Sequence, residues 1–315
     1  MKRILITGAL GQIGSELTLR LREIYGNDHV IATDIKVNPQ KEAATSGPYE
    51  ILDVTDGNRM VEIAKKYEVD TVMHLAALLS ATAEANPVFA WNLNMGGLMN
   101  ALETAREIGA QFFTPSSIGA FGPSTPKNGT PQDTIMRPTT MYGVNKVAGE
   151  LLSDYYYHKF GVDTRGLRFP GLISYVAPPG GGTTDYAVEI YYEAVKNKKY
   201  KSFIDKGTYM DMMYMPDALN AIVNLMEADP AKLVHRNSFN VTAMSFDPEG
   251  VAAEIRKHIP EFELSYAVDP IRQRIADSWP NSLDSSAASE EWGFKAEYDL
   301  VSMTKDMLDK ISKKI

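Results

Sequence analysis

The chain has 315 residues, 44% of them hydrophobic and 23% charged, which are the proportions of an ordinary globular protein. Its formal net charge of −8 argues against a surface that binds nucleic acid or an anionic membrane. With no apolar run of roughly 18 residues and no signal-peptide pattern, we expect a cytoplasmic protein without a membrane span. The chain has no cysteine and five scattered histidines, so we expect neither disulfides, nor a thiol nucleophile, nor a bound metal.

Short apolar runs alternate with helical patterns through the first half of the chain. The runs are rich in Val, Ile and Leu, and they predict strands over residues 3–7, 29–33, 49–52, 71–75, 111–115 and 163–169. The helical patterns predict helices over residues 12–25, 58–67, 87–108 and 140–160. Because helical connections of this length join parallel strands, we predict an α/β fold with a Rossmann-type, doubly wound parallel sheet.

The pattern changes after about residue 170. A loop rich in proline and glycine spans residues 178–182, and a helical pattern follows over residues 185–196. We predict a dinucleotide-binding domain over residues 1–170 and a smaller, interwoven C-terminal α/β lobe over residues 171–315 that closes a substrate cleft. We expect the loop at 178–182 to act as a mobile lid that becomes ordered on binding.

A glycine motif follows the first predicted strand and opens the first predicted helix. Gly8, Gly11 and Gly14 have the spacing of a dinucleotide-binding turn, with Gln12 and Ile13 between the last two. Such a turn lets the backbone approach a pyrophosphate, and the N-terminus of the helix attracts its negative charge. We expect these five residues to contact the cofactor. The alternative is a glycine-rich turn without a ligand.

An acidic residue ends the second predicted strand. Asp34 lies 20 residues beyond Gly14, where a carboxylate accepts hydrogen bonds from the hydroxyls of the adenosine ribose. A carboxylate there repels the 2′-phosphate of NADP, so the motif favours NAD, although Lys36 weakens that preference. The alternative is an ordinary turn aspartate at a strand end.

Two later strand ends also belong to the predicted cofactor site. Asp53 and Val54 end the third strand, where they could contact the adenine. Leu75, Ala76 and Ala77 follow the fourth strand, and the small alanines would let the backbone pass close to the cofactor. Ligands of doubly wound sheets bind at the carboxyl ends of the strands, where all these residues fall.

A tyrosine and a lysine are spaced four residues apart near the start of the fourth predicted helix. This spacing places the phenol of Tyr142 and the ammonium of Lys146 on one face, roughly 5–6 Å apart at Cβ. The positive charge favours the phenolate, which can act as a general base toward an alcohol. The alternative is a solvated helix face, but here the pair follows a complete dinucleotide-binding pattern.

With these motifs in order, the chain resembles the extended short-chain dehydrogenase/reductase family over essentially its whole length. The resemblance implies that Ser117 is the catalytic serine, and Ser116 is the neighbour most easily confused with it. It also implies that Asn94 supports the cofactor from the helix after the fourth strand. Pro170 would lie beside the nicotinamide.

The same resemblance implies a reaction. It is the NAD-dependent oxidation of a secondary alcohol, in which Tyr142 takes the proton, Ser117 binds the same oxygen and Lys146 binds the nicotinamide ribose. Within the family, the chain is most similar to the branch that oxidises L-threonine at C3. The segments that carry this similarity are residues 78–81, 182–189, 213–217 and 279–286.

The implied substrate carries a carboxylate and an ammonium beside its hydroxyl, so the cleft must bind both charges. The hydroxyls of Ser80, Thr183 and Thr184 follow strands four and six, and they can donate to the carboxylate together with amides of residues 180–182. The resemblance favours Thr184 over Thr183 and adds Trp279 as a wall over the substrate methyl. The alternative is that the two threonines cap the helix that follows them.

The resemblance also implies a homodimer. Its interface would use the predicted helices over residues 87–108 and 140–160, which carry more apolar residues than one sheet face needs. The alternative is that these residues merely cover the sheet. They are Trp91, Leu98, Met99, Leu102, Leu151, Leu152, Tyr155 and Tyr156.

Two other functions would fit the same scaffold. A nucleotide-sugar epimerase or dehydratase needs basic groups for a diphosphate, and Arg236, Arg272 and Arg274 match no such pattern. Residues 210–217 also lack the arginine and histidine that these enzymes usually carry there. A non-enzymatic NAD-sensing regulator commonly lacks the tyrosine or the lysine, and this chain has both. The absence of cysteine and of any cluster of metal ligands in the sequence argues against an unrelated zinc-dependent enzyme for the same substrate.

Overall fold

The computed structural model describes residues 1–176 and 182–315. Most of the predicted lid, and two of the three glycines expected to bind the carboxylate, lie outside the described residues. The strands of the described part are β1 (Ile4–Thr7), β2 (Val30–Asp34), β3 (Tyr49–Ile51), β4 (Thr71–His74), β5 (Gln111–Ser117), β6 (Thr164–Phe169), β7 (Gly171–Ile173), β8 (Lys199–Ser202), β9 (Met210–Tyr214), β10 (Phe239–Asn240), β11 (Met244–Phe246) and β12 (Glu263–Tyr266).

Helices connect and cover these strands. In the described ranges, no helix is both long enough and apolar enough to cross a membrane. The α-helices are α1 (Gln12–Tyr25), α2 (Glu42–Thr45), α3 (Gly57–Lys66), α4 (Ser80–Ala85), α5 (Pro87–Ile108), α6 (Met141–Phe160), α7 (Tyr186–Asn197), α8 (Met215–Glu227), α9 (Pro248–Arg256), α10 (Pro270–Asp277), α11 (Ser286–Trp292) and α12 (Leu300–Ser312).

The main sheet has seven strands in the order β3-β2-β1-β4-β5-β6-β10, and every neighbouring pair is parallel. The strand order reverses between β1 and β4, which creates the crevice where doubly wound sheets bind ligands. A smaller sheet has the order β11-β9-β7, and β12 pairs with β8 separately. The predicted fold class, a Rossmann-type doubly wound sheet with further α/β structure after it, is confirmed.

The end of β5 differs from the prediction. The sequence pattern predicted a strand that ends at residue 115, and the observed strand continues to Ser117. It continues because the pairing with β6 extends through Ser116 opposite Arg168 and Ser117 opposite Phe169. The two serines therefore lie on the last residues of a buried strand and not on a flexible loop.

Both faces of the main sheet are covered by helices. Ile4 and Ile6 of β1 pack on the face that carries α1 and α8, and Leu5 between them packs on the face that carries α3, α5 and α6. This alternation is the period of two that a strand imposes on its side chains. A separate core lies among α7, α9 and α12 in the C-terminal half.

The two halves of the chain are interwoven. The seventh strand of the main sheet, β10, comes from the second half of the chain, and α8 packs in the same core as α1. The division near residue 170, with residues 171–315 as an interwoven substrate-binding lobe, remains a prediction.

Candidate active site

The glycine turn after β1 packs closely against the segment that follows β4. Gly8 has φ +69°, and a Cβ placed on it would lie 2.8 Å from the Cα of Ala76. A Cβ on Gly14 would lie 2.2 Å from the carbonyl oxygen of Gly8, so the helix can start this close to the turn only with glycine there. Gly11 caps α1 without a side-chain hydrogen bond, which leaves amides of the first turn available to an anion.

Asp34 ends β2 beside the glycine turn. Its carboxylate accepts hydrogen bonds from the amides of Leu10 (3.0 Å) and Ile35 (2.8 Å), and these bonds fix its orientation. It lines a cavity of about 230 Å³. The predicted cofactor residues that share this cavity are Gly8, Gly11, Asp34, Asp53, Val54, Leu75, Ala76 and Ala77.

Asp53 gives the same cavity a second carboxylate. Hydrogen bonds from the amide (2.9 Å) and the hydroxyl (2.7 Å) of Thr55 lower the pKa of Asp53, so it is ionised at neutral pH. Two carboxylates on one wall favour a ligand that offers hydroxyl or amino donors, and they disfavour a phosphate.

The tyrosine and the lysine lie at the start of α6. The hydroxyl oxygen of Thr140 accepts a hydrogen bond from the amide of Gly143 (3.1 Å), and this cap places Tyr142 in the first turn. The ammonium of Lys146 lies 5.3 Å from the centroid of the Tyr142 ring. It also donates a hydrogen bond of 2.6 Å to the carbonyl of Pro115. The cation is therefore held beside the phenol, between α6 and the end of β5.

The two serines at the end of β5 differ in their contacts. The hydroxyl of Ser116 donates to the carboxylate of Glu150, which forms a buried ion pair of 2.8 Å with Arg168. The hydroxyl oxygen of Ser117 accepts a hydrogen bond from the amide of Gly119 (3.1 Å) and keeps its own proton to donate. Of the two, Ser117 is the one whose hydroxyl is available to a substrate oxygen.

A second cavity, of about 150 Å³, contains the predicted catalytic and substrate-binding residues together. It shares Leu75 and Ala77 with the cavity beside Asp34, so the two lie next to each other along the segment after β4. The predicted site residues that line it are Gln12, Ile13, Leu75, Ala77, Ser80, Ser117, Tyr142, Lys146, Pro170, Thr183, Thr184 and Trp279.

Thr183 has a buried hydroxyl on the wall of this second cavity. The residue is 1% exposed, and the hydroxyl has no hydrogen-bond partner among the described residues. A buried polar group left unpaired costs about 1–3 kcal/mol, so its position on a cavity wall indicates a polar ligand. Because this hydroxyl does not cap α7, the capping alternative fails for Thr183.

Asp185 lines the same cavity, and the sequence analysis missed it. It is 8% exposed, and its carboxylate accepts a hydrogen bond from the amide of Gly182 (2.7 Å). Among the lining residues that the structure describes, Asp185 is the one carboxylate and Lys146 the one cation. Two threonines and an aspartate before a helix are typical of a helix N-cap. For this reason the sequence pattern did not identify Asp185 as a residue of the cavity.

Two predicted cofactor residues line neither of these cavities. Gly14 packs against the glycine turn, as described above. Asn94 accepts a hydrogen bond from the amide of Leu78 (2.8 Å) and donates to the side-chain oxygen of Asn145 (3.0 Å). It also lines a smaller cavity of about 40 Å³ behind Lys146. Asn94 thus holds the segment after β4 against α6.

His74 lies behind Lys146 and is neutral at physiological pH. Burial lowers its pKa to about 3, with a smaller contribution from the charge of Lys146. Its Nδ1 is 2.9 Å from the hydroxyl of Thr7, so the ring is hydrogen-bonded in the core. Within the described ranges, no three His, Asp or Glu side chains are grouped so that they could hold a metal ion.

The fold and the site define a class of protein. A glycine turn at a helix N-terminus, a carboxylate after the second strand and a Ser–Tyr–Lys group at the carboxyl ends of the strands are the parts of a dinucleotide-dependent oxidoreductase. The chain belongs to the NAD dependent epimerase/dehydratase family, whose model matches residues 4–242. This match confirms the resemblance to extended short-chain dehydrogenases/reductases.

Individual relatives cover nearly the whole chain. An uncharacterized epimerase/dehydratase of Staphylococcus saprophyticus is 65% identical over 314 residues, which are 100% of this chain and 98% of the relative. The structure of L-threonine dehydrogenase from Clostridium difficile is 68% identical, with a TM-score of 0.98 over 100% of this chain and 98% of the other. A monomeric L-threonine 3-dehydrogenase from a metagenome is 43% identical, with a TM-score of 0.94 over 99% of each chain.

Proposed function

We propose that this protein oxidises L-threonine at C3 to L-2-amino-3-oxobutanoate with NAD as the hydride acceptor. The observation that carries the proposal is the content of one cavity, which is lined by Ser117, Tyr142 and Lys146 and also by Asp185 and by Thr183 with its unpaired hydroxyl. The serine, tyrosine and lysine are suited to remove a proton from an alcohol. The threonine hydroxyl and the aspartate are suited to bind the carboxylate and the ammonium of an amino acid. The similarity to the Clostridium difficile L-threonine dehydrogenase supports the same substrate.

The residues of the first cavity fit NAD. The turn formed by Gly8 and Gly14 has no room for a Cβ, and the uncapped first turn of α1 can bind the pyrophosphate. The carboxylate of Asp34 would accept hydrogen bonds from the ribose hydroxyls and repel a 2′-phosphate, which favours NAD over NADP. When bound beside Pro170, the cofactor supplies the hydride-accepting nicotinamide.

In the proposed mechanism, Tyr142 is the general base. Its phenolate takes the proton of the substrate hydroxyl, and the ammonium of Lys146 lies 5.3 Å from the ring centroid. Ser117 donates its free proton to the same substrate oxygen and fixes its direction. Lys146 has further N–H donors beyond the one bound to Pro115, and one of these would bind the nicotinamide ribose.

The far end of the cavity would bind the amino-acid group. The hydroxyls of Ser80, Thr183 and Thr184 would donate to the carboxylate, and Asp185 would pair with the ammonium. Trp279, which is 5% exposed, would form the wall over the substrate methyl. A complementary set of one carboxylate and several hydroxyl donors selects a zwitterion over a simple alcohol.

The cavity gives less support to a nucleotide-sugar epimerase. A diphosphate needs cationic groups, and Lys146 is the one cation on the described wall. Arg236 is bound to Asp163 and packs on an aromatic ring, and Arg272 packs over Phe203. Neither arginine lines the cavity. An NAD sensor without catalysis would have no need for the Ser–Tyr–Lys arrangement.

We also propose a homodimer formed through α5 and α6. Of the apolar residues predicted for this interface, Leu98, Leu102 and Tyr156 are buried in the core, where they cover the sheet. The exposed ones are Trp91, Met99, Leu151 and Tyr155, and Val88 and Phe89 of α5 are exposed as well. One similar protein is monomeric, so the oligomeric state needs its own test. A cytoplasmic location and a role in threonine catabolism remain predictions that accompany this function.

A substrate panel tests the proposed function. The purified protein would be incubated with NAD and with L-threonine, L-allo-threonine, D-threonine or L-serine, while NADH absorbance is recorded. We expect the highest kcat/KM with L-threonine, and we expect it to fall with Tyr142→Phe. A faster reaction with a nucleotide sugar, or equal rates with simple secondary alcohols, would contradict the proposal.

A further inference from the structure

A buried carboxylate lies beneath the segment that carries Trp279. Asp211 is in β9, the middle strand of the smaller sheet, and it is 0% exposed. One of its oxygens accepts a hydrogen bond from the hydroxyl of Thr242 (2.6 Å), and the other accepts one from the backbone amide of Leu283 (2.7 Å). No ion pair involves Asp211 among the described residues. A carboxylate that is buried without an ion pair loses the stabilisation that water gives it. The two hydrogen bonds are therefore the contacts that stabilise Asp211 in this position.

The chain from Trp279 to Leu283, here called the wall segment, is held from two sides. On its outer side, the amides of Asn281 (2.8 Å) and Ser282 (3.2 Å) donate to the carbonyl of Lys127. On its inner side, the amide of Leu283 binds Asp211. The outer contacts are made to a surface loop, whereas Asp211 is fixed in the sheet.

The strand that carries Asp211 also lies next to the cavity. β9 pairs with β7, and Gly171 of β7 lines the cavity. A Cβ placed on Gly171 would lie 2.4 Å from the sulfur of Met212 and 2.7 Å from the side chain of Thr184. Met212, the residue after Asp211, thus packs against cavity residue Gly171, and Asp211 accepts the hydrogen bond of the Leu283 amide. β9 therefore contacts both the cavity and the wall segment.

We propose that Asp211 is a positioning residue that holds the wall segment, and with it Trp279, against the substrate. This inference takes the identity of the substrate from the proposed function. The contact between Asp211 and the wall segment is independent of that function. Asp211 acts through Trp279 and lies beneath the cavity wall.

The hydrogen bond between the Leu283 amide and the Asp211 carboxylate should respond to pH. Burial raises the pKa of Asp211 to about 7, although hydrogen bonds from Thr242, Leu283 and Met212 oppose the rise. β7, β11 and the wall segment carry no charged side chain, and Lys127 donates to a backbone carbonyl at Asp277. In α8, which also packs on β9, the carboxylate of Asp217 is held by the amides of Glu297 and Tyr298. No other charge therefore compensates when Asp211 ionises.

The sign of the response follows from linkage. The closed wall raises the pKa of Asp211 from its ordinary 3.8 to about 7, so the closed state binds the proton more tightly than an open state that hydrates the carboxyl. Closure is favoured at low pH and weakens as the pH rises toward 7, above which the effect levels off. Between pH 6 and 8, opening should become about tenfold more frequent if the carboxyl is fully hydrated in the open state.

Two variants test the proposal. Asp211→Asn keeps an acceptor for the Leu283 amide and cannot ionise, whereas Asp211→Ala removes the acceptor. Hydrogen exchange of residues 279–284, measured by mass spectrometry and corrected for the intrinsic effect of pH, should show the tenfold change from pH 6 to 8 in the wild type and none in Asp211→Asn. Ser245→Ala is the matched control, because it removes a hydroxyl bound to the carbonyl of Asn281 and leaves Asp211 intact.

Kinetics supply the second readout. Asp211→Ala should raise KM for L-threonine about threefold to tenfold, the worth of one hydrogen bond, with KM for NAD and kcat little changed, and Asp211→Asn should restore the wild-type KM. Equal exchange in the wild type and Asp211→Asn at both pH values would overturn the inference, as would an unchanged threonine KM in a folded Asp211→Ala. The predicted exchange pattern in a protein that fails to oxidise threonine would uphold the contact and reject the proposed substrate.

Discussion

The ammonium of Lys146 donates a hydrogen bond of 2.6 Å to the backbone carbonyl of Pro115. Pro115 lies two residues before Ser117 on β5, and Lys146 lies one turn after Tyr142 on α6. One bond thus joins the strand that carries the serine to the helix that carries the tyrosine. The relative position of the three proposed catalytic groups is set by packing of α6 on the sheet, and flexible side chains have little part in it.

Replacement of Tyr142 by phenylalanine tests the proposed base. Tyr142→Phe keeps the ring beside Lys146 and removes the hydroxyl, so folding and NAD affinity should stay near those of the wild type. We expect kcat to fall by about 10²–10⁴-fold, the usual worth of general acid–base catalysis. Steady-state rates and fluorescence titration with NADH would measure the two effects. Retention of more than about a tenth of the activity would mean that another group is the base.

Asp34 should determine the choice of cofactor. We predict that kcat/KM with NAD exceeds that with NADP by about a hundredfold or more, because the carboxylate held by the Leu10 and Ile35 amides meets the 2′-phosphate. Asp34→Asn should narrow the ratio, since it removes the charge and keeps a hydrogen-bond acceptor. Initial rates with both cofactors decide the point, and equal efficiency in the wild type would remove this role from Asp34.

The unpaired hydroxyl of Thr183 gives an unusual prediction. Thr183→Val replaces the hydroxyl with a methyl of similar volume, so thermal unfolding should show unchanged or slightly higher stability. KM for L-threonine should nevertheless rise about threefold to thirtyfold, with KM for NAD unaffected. Thr184→Ala should raise the threonine KM in the same way. Wild-type KM values in both variants and in Ser80→Ala would place the carboxylate site elsewhere.

The exposed apolar surface of α5 and α6 predicts the oligomeric state. We expect a dimer by light scattering at micromolar concentration, and Leu151→Glu should shift it toward the monomer because it places a charge in the proposed interface. Val234→Glu is the matched control, since Val234 is 80% exposed on the loop before β10. A monomeric mass for the wild type would contradict the dimer.

Much of the fold could be predicted because its signals are local. The buried strands are continuous apolar runs, and the glycine turn, Asp34 and the tyrosine–lysine pair each lie within one turn or strand end. β10 could not be found this way because it has two residues, Phe239 and Asn240, which are too few to form a pattern. It pairs with β6 only because α8 and the loop after it bring it there.

The rest of the site depends on contacts between distant segments. A helical pattern shows that Leu98 and Tyr156 lie on an apolar face, but it does not tell whether the sheet or a second subunit covers that face. The Asp185 carboxylate and the Thr183 hydroxyl could serve equally as helix caps, and only the packed structure leaves the latter without a partner. The bond between Asp211 and Leu283 joins positions 72 residues apart, which no local pattern reveals.

The most direct test of the central claim follows the hydrogen at C3. The wild-type protein would be incubated with NAD and L-threonine deuterated at C3, and the reduced cofactor would be analysed by mass spectrometry. The proposed reaction predicts that the reduced cofactor is heavier by one mass unit and that Tyr142→Phe produces far less of it. Unlabelled reduced cofactor, or none at all with active, folded protein, would show that this chain does not oxidise threonine at C3.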